Sequence, residues 1–307
     1  MAKQLWSQFQ FIDYLNVKEN EIRELPEGVS ISTMCGKCRL GTKLYLDDIK
    51  QYLPLSSDDI LTVKVNRDKL RTLIPPKIKK RRTKKKKSIK SNPFYNQITV
   101  VVRVFEGECT NLNDEKKINL KLFKNGSIQI SGLKKLEYAN RALNKLVYRL
   151  SQIKAKLNDS KIEEIKFVED TNSLGIFDFN IYMINSNYRV NMQIDRSKLF
   201  HLLLKKKIKT SYEKCIRACV IVKYTPKKMN EEEKEVSIFI FEKGNIIITG
   251  ARNLSHIVDS YEYINNILLE HIEDVIKTDD DIEGELILKL YDNILKDNNH
   301  KLNPLNT

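Results

Sequence analysis

Hydrophobic and polar residues alternate in two separated stretches of the chain, and the two stretches resemble each other. Residues 118–133 read INLKLFKNGSIQISGL, and residues 236–251 read VSIFIFEKGNIIITGA. In each stretch two runs with a period of two flank a glycine, which predicts a β-hairpin. The pattern therefore predicts an internal repeat. Three pairs share a spacing of 118 residues: Phe123 with Phe241, Gly126 with Gly244, and Gly132 with Gly250.

Each predicted hairpin is followed by a helical pattern and preceded by a further strand. The runs at 98–104 and 219–223 predict the preceding strands, and residues 43–46 and 189–192 are predicted to end a longer opening strand. The predicted order is strand, short helix, three strands and long helix, given twice, which packs as one sheet with helices on a single face. The apolar positions of the two long helices are Leu136, Ala139, Leu143, Leu146, Val147, Leu150 and Ile153, then Ile257, Val258, Tyr261, Ile264, Ile267, Leu268 and Ile272.

The same pattern divides the chain into four segments: an N-terminal extension (1–27), a first repeat (28–157), a second repeat (158–277) and an acidic, Asn-rich tail (278–307) with a helix near 286–295. The first repeat is longer because of a basic insertion at about residues 70–92. Its centre, Lys77–Lys90, holds ten Lys or Arg residues and lacks the apolar content to fold. We expect a solvated loop, with a phosphate grip or a nuclear import signal as the functional alternatives.

Alternation also assigns the two faces of each hairpin. Leu120 and Leu122 lie on one face, and Lys121 and Phe123 on the other. A three-residue turn over residues 125–127 is predicted to pair Leu122 with Ile130 and Phe123 with Gln129. By the same logic Ser237, Phe239, Phe241, Ile247 and Thr249 share the second free face.

An aromatic ring at equivalent points of both free faces needs a partner. One alternative is that a tail or a neighbouring chain covers Phe123 and Phe241. The other is that the two rings are wedges inserted between the base steps of DNA.

Charge narrows the class of partner. The net charge is +14 and the pI about 9.3, which favours an acidic polymer, nucleic acid first and an anionic membrane second. Ten of the positive charges lie in the basic insertion, so the remainder carries only +4. At 41% hydrophobic content the 307 residues can build a real core. The N-terminus does not match a signal peptide, and five cysteines form no regular framework, so we expect a soluble, intracellular protein that is not secreted.

Signals of catalysis or metal binding are weak. Cys35 and Cys38 have metal-knuckle spacing, and Cys215 with Cys219 could complete four thiolates, but the repeat places the two pairs far apart. The four histidines show neither ligand nor triad spacing. Gly126 and Gly244 are turn glycines, because no Lys-Ser/Thr follows them. We expect no catalytic activity, no cofactor and no metal.

The two hairpins resemble those of the TATA-box-binding protein family. LKLFKNGSIQISG and IFIFEKGNIIITGA are similar to the family pattern, roughly L-I-F-x-S-G-K-[MV]-V-x-T-G-A. Ser211-Tyr212-Glu213, followed ten residues later by Lys223, looks like the family's second-repeat stirrup and strand. The resemblance covers about residues 28–277. It implies an α+β fold in which two pseudo-symmetric repeats form a curved antiparallel β-sheet saddle with helices on the convex face.

The resemblance implies a monomeric, non-enzymatic factor that binds the minor groove of A·T-rich promoter double-stranded DNA and bends it to start transcription. Its implied protein partners are a transcription factor IIB-like factor and RNA polymerase, with no membrane involved. The Lys-, Asn- and Ile-rich composition suggests an A·T-rich genome, such as that of a large DNA virus, so the expected compartment is a nucleus or a cytoplasmic viral transcription site. The DNA-binding residues that the resemblance implies are the phenylalanines Phe123, Phe241 and Phe239, together with Lys121. Gln129, Ser131, Ile247 and Thr249 would form the groove floor, and the opening strands would contribute Thr33 and Asn185, with their neighbours Cys35 and Met183. Arg103 and Lys223 would contact phosphates, and Tyr212 and Glu213 are the implied partner-binding residues.

Departures from the family pattern support a rival hypothesis. The first wedge of each pair is replaced by Gln97 and Arg217, with Phe94 and Tyr95 close to the former, and Cys215 replaces an acid beside Glu213. The apolar contact of an inserted wedge offsets the free-energy cost of unstacking two bases, so the loss of a wedge weakens DNA binding. Lys or Gln side chains can still reach the hydrogen-bond acceptors of the minor groove. The rival is a protein-interaction module of the transcription machinery that kept the fold and reduced or lost DNA binding. A nuclease is disfavoured, because the free face lacks an acidic metal-binding cluster.

Overall fold

The computed structural model describes residues 2–65, 69–75, 96–105, 115–158, 161–216, 218–227 and 235–278. The basic run Lys77–Lys90, the helix predicted near 286–295, Phe94, Tyr95 and Arg217 lie outside the described residues. The chain forms two compact units. Unit 1 comprises the residues up to Leu25, Ile31–Asn185 and Gly250–Leu254; unit 2 comprises Pro26–Ser30, Ser186–Thr249 and the described residues from Ser255 onward.

Unit 1 is built on an antiparallel sheet. Its strands β1 to β6 lie in the order β1-β6-β5-β4-β2-β3, and every neighbouring pair is antiparallel. The strands are β1 (Ser30–Arg39), β2 (Ile60–Val65), β3 (Lys69–Thr72), β4 (Gln97–Phe105), β5 (Glu115–Phe123) and β6 (Ser127–Leu133). The helices are α1 (Ala2–Ser7), α2 (Val17–Asn20), α3 (Leu46–Tyr52) and α4 (Leu136–Ser151), and β7 (Lys154–Asn158) with β8 (Lys161–Ile165) forms a separate hairpin.

The core of unit 1 lies between α4 and the face of β4, β5 and β6 that α4 contacts. Residues with a period of two on this face are fully buried, and each large aliphatic side chain removed from water contributes about 1.5–3 kcal/mol. The predicted helix face is largely confirmed, since Leu136, Ala139, Leu143, Leu146 and Leu150 are buried. Ile153 lies beyond the end of the helix and is exposed. The buried strand residues are Ile98, Val100, Val102, Val104, Ile118, Leu120, Leu122, Ile128 and Ile130.

Unit 2 repeats this construction. Its strands lie in the order β10-β11-β12-β13-β9, and only the last residues of β9, from Ser186, belong to unit 2. Helix α6 packs on the sheet through two tyrosine pairs, Tyr188 with Tyr261 and Tyr224 with Tyr263, whose ring centroids are 4.9 and 4.0 Å apart. The elements are β9 (Phe177–Arg189), β10 (Thr210–Ser211), β11 (Cys219–Tyr224), β12 (Val236–Phe241), β13 (Asn245–Ala251), α5 (Arg196–Lys205), α6 (Leu254–Glu270) and α7 (Ile272–Val275).

The α+β fold class and the twofold order of elements are confirmed. Two successive stretches of the chain, from β1 to α4 and from β9 to α6, run from an opening strand through a short helix and a hairpin to a long helix. Strands β2 and β10 precede β4 and β11 in addition to the predicted strands. The predicted ends of the opening strands were wrong: β1 ends at Arg39 and β9 at Arg189. Leu44 forms only an isolated bridge to Val168. Its side chain is buried in the core, which explains the apolar position that resembled part of a strand.

The predicted hairpin turn was displaced by one residue. Leu122 pairs with Ile128 rather than Ile130, because the three-residue turn spans residues 124–126. Gly126 closes that turn with φ 83°, and its N–H donates to the Phe123 carbonyl at 2.9 Å. A left-handed residue at the third position is the usual form of a three-residue hairpin loop. The resulting slip of two positions in the pairing leaves the predicted faces unchanged.

Candidate nucleic-acid interface

The face of the unit 1 sheet opposite α4 is only partly shielded from solvent. Along β4 burial alternates, with Gln97, Thr99 and Val101 half-buried between fully buried neighbours. Phe123 is half-buried on the same face, directly across from Gln97 in the register of β4 and β5. Among the described residues of unit 1, helix α4 lies on the other side of these strands. The ring of Phe123 is therefore available to a partner at the hairpin end of the sheet.

A shallow groove of about 480 Å³ lies beside Phe123 at this end of the face. Lys37, Arg39, Gln129 and Asp178 are among the residues that line it, so the walls carry more positive than negative charge. The guanidinium of Arg39 lies 3.9 Å from the Asp178 carboxylate, and both side chains are mostly exposed. Such an exposed pair contributes little to stability.

Polar residues form one cross-strand row over five strands of unit 1. Gln129 pairs with Lys37 on β1 and with Lys121 on β5, and Thr99 pairs with Lys121 and with Lys64 on β2. Directly paired residues share a face of the sheet, so the row Lys37–Gln129–Lys121–Thr99–Lys64 lies on the free face. All its members except the half-buried Thr99 are exposed. Lys121 and Gln129 were predicted at this face, whereas Lys37 and Lys64 were missed because cross-strand register is not visible in the sequence.

The next cross-strand row on this face has no charged side chain and is more buried. Ser131 pairs with Asn119 and with Cys35, and Thr33 precedes Cys35 on the same strand as a half-buried residue. Burial raises the pKa of the Cys35 thiol, although a hydrogen bond with Tyr182 lowers it in part. Cys38 faces the opposite side, where it pairs with Ile128, and burial raises its pKa to about 12. The two thiols thus point away from each other, and no cluster of His, Cys, Asp or Glu within the described ranges could hold a metal ion.

Arg103 is already bound to protein groups. Its Nη1 donates to the Ser57 carbonyl at 2.6 Å, and its Nη2 lies 3.1 Å from a Glu115 carboxylate oxygen. Lys117 lies 3.0 Å from the same carboxylate oxygen. Burial raises the pKa of Glu115, but Lys117 and Arg103 outweigh it and hold that pKa below its usual range. A phosphate contact by Arg103 therefore requires exchange of the Glu115 carboxylate.

The corresponding face of unit 2 is more apolar. Phe239 pairs with Ile221 and Ile247, and Phe241 pairs with Cys219. Phe239, Phe241 and Ile247 are half-buried, whereas Ile221 and Cys219 are buried. Thr249 pairs with Ser237 at the far end of this face, and Asn185 is half-buried on β9 in unit 1.

Lys223 is exposed and donates to the Ser237 hydroxyl at 2.6 Å. It pairs with Ser237, whose counterpart 118 residues earlier is Asn119, the partner of Val101. Lys223 therefore corresponds in register to Val101 and not to Arg103. The same count makes Cys219 the counterpart of Gln97, in place of Arg217. The sequence alignment missed both, because the connections between β4 and β5 and between β11 and β12 differ in length.

The predicted partner-binding residues lie after β10 in unit 2. Tyr212 is half-buried, with its ring centroid 5.9 Å from that of Phe200 and 5.7 Å from the Arg196 guanidinium. Glu213 is exposed and its carbonyl accepts the Ile216 N–H at 3.0 Å. Ile216 has an exposed fraction of 77%. This end of unit 2 thus offers a carboxylate beside an apolar side chain.

Comparison with known proteins identifies the family. No protein-family model matches the chain. No helix in the described ranges is long and apolar enough to span a membrane. Among solved structures the chain is similar to the Methanococcus jannaschii TBP, with a TM-score of 0.48 and 15% identity over 80% of this chain and 99% of that one.

A curated relative from Acanthamoeba polyphaga mimivirus is the protein named TATA-box-binding protein-like. It is 36% identical to this chain over 263 residues, which are 80% of this chain. The chain spans 66% of the length of that relative. With the same order of elements given twice along the chain and this level of identity, the chain is a divergent member of the TATA-box-binding protein-like family.

Proposed function

We propose that the chain is a basal transcription factor that binds the minor groove of A·T-rich promoter DNA and bends it, so that a pre-initiation complex assembles in a nucleus or at a viral transcription site. One observation carries this proposal. In each unit a phenylalanine, Phe123 or Phe241, lies half-buried at the hairpin end of a sheet face opposite the long helix. The family name of the relative and the basic charge support the same reading.

The two rings suit the role of wedges. Each lies on the last residue of its strand, next to the hairpin turn, and is half-buried. Unstacking a base step costs a few kcal/mol, and insertion of apolar side chains with bending of the duplex is the family's way of offsetting that cost. Phe239, Ile247 and Thr249 would form the groove floor in unit 2, and Gln129 and Ser131 in unit 1.

Phosphate contacts fall first to Lys223, which is exposed and holds only a neutral hydroxyl. Arg103 would contribute after leaving Glu115, at a cost that Lys223 does not incur. Thr33 and Asn185 would contact the duplex from the opening strands, and Lys121 from the centre of the unit 1 face. Each phosphate neutralised makes binding more sensitive to salt.

The test measures both affinity and bending. Fluorescence anisotropy gives affinity for an A·T-rich duplex, and energy transfer between its labelled ends gives the bend. The double variant Phe123→Ala, Phe241→Ala should lose about 100-fold in affinity, corresponding to roughly 1.4 kcal/mol for each wedge, and most of the bend. Phe200→Ala, which removes a half-buried ring from α5, is the matched control and should bind as the parent does. A double variant that binds and bends DNA like the parent would show that the rings are not wedges.

A protein-interaction module with reduced DNA binding is the second candidate. The residues opposite the two rings favour it, because Gln97 faces Phe123 and Cys219 faces Phe241, and neither is aromatic. A transcription factor IIB-like partner or RNA polymerase would then be the main ligand, with Tyr212 and Glu213 as its contacts. Deleting Lys77–Lys90 separates the candidates: duplex binding persists if the sheet faces bind DNA, and vanishes if only the basic run did.

A further inference from the structure

The same cross-strand row has opposite chemistry in the two units. In unit 1, two residues before Phe123, the row holds Lys121 with its partners Thr99 and Gln129. In unit 2, two residues before Phe241, it holds Phe239 with its partners Ile221 and Ile247. Both rows lie on the face opposite the long helix. One free face is therefore polar and the other apolar at equivalent positions.

Lysines extend the polar row on both sides. Lys37 and Lys64 lie two strands to either side of Lys121, which at about 4.8 Å per strand is roughly 10 Å. Among the described residues, no carboxylate forms a salt bridge with any of these three ammonium groups. Elsewhere Lys43 forms a salt bridge with Glu169, and Lys209 with Glu235. Three unneutralised cations in one row repel one another, since roughly 10 Å is close to the screening length in physiological salt. Such a row is suited to an anionic or strongly accepting ligand.

Minor-groove chemistry distinguishes the two rows. An A·T pair shows only the acceptors N3 and O2 there, whereas a G·C pair adds the donor N2 amino group of guanine. An ammonium group donates to the acceptors, and the carbonyl of Gln129 can accept from the guanine amino group. The Phe239 and Ile247 side chains can do neither. A guanine amino group buried against them loses its hydrogen bonds, so a G·C pair at this row weakens binding.

We propose, building on the proposed DNA binding, that unit 1 accepts G·C pairs through Lys121 and Gln129, whereas unit 2 requires A·T pairs. Lys121 and Gln129 are then specificity-determining residues, and Lys37 and Lys64 add salt-sensitive affinity. A duplex with A·T pairs in one half and mixed pairs in the other is bound in one orientation, because only that orientation leaves every buried amino group hydrogen-bonded.

The test uses the full chain and three duplexes: one all A·T, one with G·C pairs in one half, and one with G·C pairs in both halves. The parent should bind the first two within about threefold and the third at least about tenfold more weakly, a factor that corresponds to 1.4 kcal/mol. Lys121→Ile with Gln129→Ile should weaken binding of the half-G·C duplex at least about tenfold more than it weakens binding of the all-A·T duplex. Lys18→Ile on α2, which also removes one exposed lysine, is the control and should behave as the parent.

The converse variant keeps the inference testable if the first fails to fold. Ile247→Gln gives unit 2 the polar residue of unit 1 and should reduce the penalty on the duplex with G·C pairs in both halves. If Lys121→Ile with Gln129→Ile weakens all three duplexes equally, the row contacts phosphates alone and the specificity inference is overturned. If the parent binds no duplex, the proposed function itself fails. If the parent binds and bends A·T DNA but Ile247→Gln leaves base preference unchanged, only this inference fails.

Discussion

The Arg149 guanidinium holds the fully buried carboxylate of Asp59 through two hydrogen bonds, from Nε at 2.8 Å and from Nη2 at 2.6 Å. The pair joins the last turns of α4 to the segment before β2. The Asp59 backbone adds to this junction, because its carbonyl accepts the Arg103 N–H at 2.7 Å. Asp59 therefore links the Arg149 side chain on α4 to β4, the strand that carries Arg103.

Breaking this ion pair is expected to destabilise the protein strongly. Asp59→Ala leaves Arg149 without its buried partner, and loss of one member of a buried pair costs about 3–5 kcal/mol. The free energy of unfolding from urea titration measures the loss. The control is Glu169→Ala, which removes the exposed partner of Lys43 and should cost no more than about 1 kcal/mol. Equal losses in the free energy of unfolding for the two variants would show that the buried Arg149–Asp59 pair is not a special source of stability.

Lys145 is expected to make stability rise with pH in alkaline solution. Burial lowers its pKa to about 8 from the ordinary 10.5. Its ammonium group donates to the carbonyls of Asp58 at 2.7 Å and Arg103 at 3.0 Å. Between these two pH values the folded chain has released a proton that the unfolded chain still holds, so raising the pH stabilises the folded state by up to about 3 kcal/mol.

The measurement compares urea unfolding of the parent and Lys145→Met at several values from pH 7.5 to 10.5. The parent should gain stability over this window relative to the variant. Lys134→Met, which changes an exposed lysine, should keep the parent's slope. Parallel profiles for the parent and Lys145→Met would rule out a depressed pKa for this lysine.

Gly126 is expected to tolerate no side chain. Its φ of 83° is unfavourable for other residues, and a Cβ there would collide with the Thr42 carbonyl oxygen. Gly28 has a similar φ of 75° but no atom within 4 Å of a built Cβ, which makes it a matched control. Gly28→Ala should cost only the conformational strain of about 1–2 kcal/mol, and Gly126→Ala measurably more. Thermal unfolding of the two variants gives the comparison, and a milder effect at Gly126 would contradict the steric argument.

The N-terminal segment is expected to detach when its amide clamp is removed. Asn144 accepts the Ile12 N–H and donates to the Ile12 carbonyl, both at 2.9 Å, and Asn140 accepts the Tyr14 N–H at 3.1 Å. Both asparagines are buried on α4. Asn144→Ala should lower the local opening free energy by about 1–3 kcal/mol and speed exchange of the Ile12 amide hydrogen at least about tenfold. Asn266→Ala, on the exposed side of α6, is the control, and unchanged exchange at Ile12 in Asn144→Ala would refute the clamp.

Sequence periodicity was sufficient for the two hairpins and most of the core. Alternation placed Leu120 and Leu122 on one face and Phe123 on the other because side-chain direction in a strand depends only on the parity of the position. The exact pairing of Leu122 was missed, since it depends on which residue of the turn takes a left-handed conformation. The N-terminal extension gave no periodic signal, because the Ile12 backbone is held by side-chain amides.

The candidate site was predictable only where it lies within one hairpin. Lys121 and Gln129 were found from local alternation, but Lys37 and Lys64 reach the same row through pairings with strands distant in sequence. Likewise the pairing of Arg103 with Glu115 depends on the β4–β5 register, so its role at a phosphate could not be weighed from sequence.

The amide clamp on α4 has a consequence for how this protein can diverge. Asn140 and Asn144 grip main-chain groups that every amino acid except proline carries in full. Residues 12 and 14 can therefore change identity over evolutionary time with the segment still anchored, while the two asparagines on the helix cannot. An anchor that binds the main chain therefore lets the sequence of the N-terminal extension vary while the two asparagines of α4 are conserved.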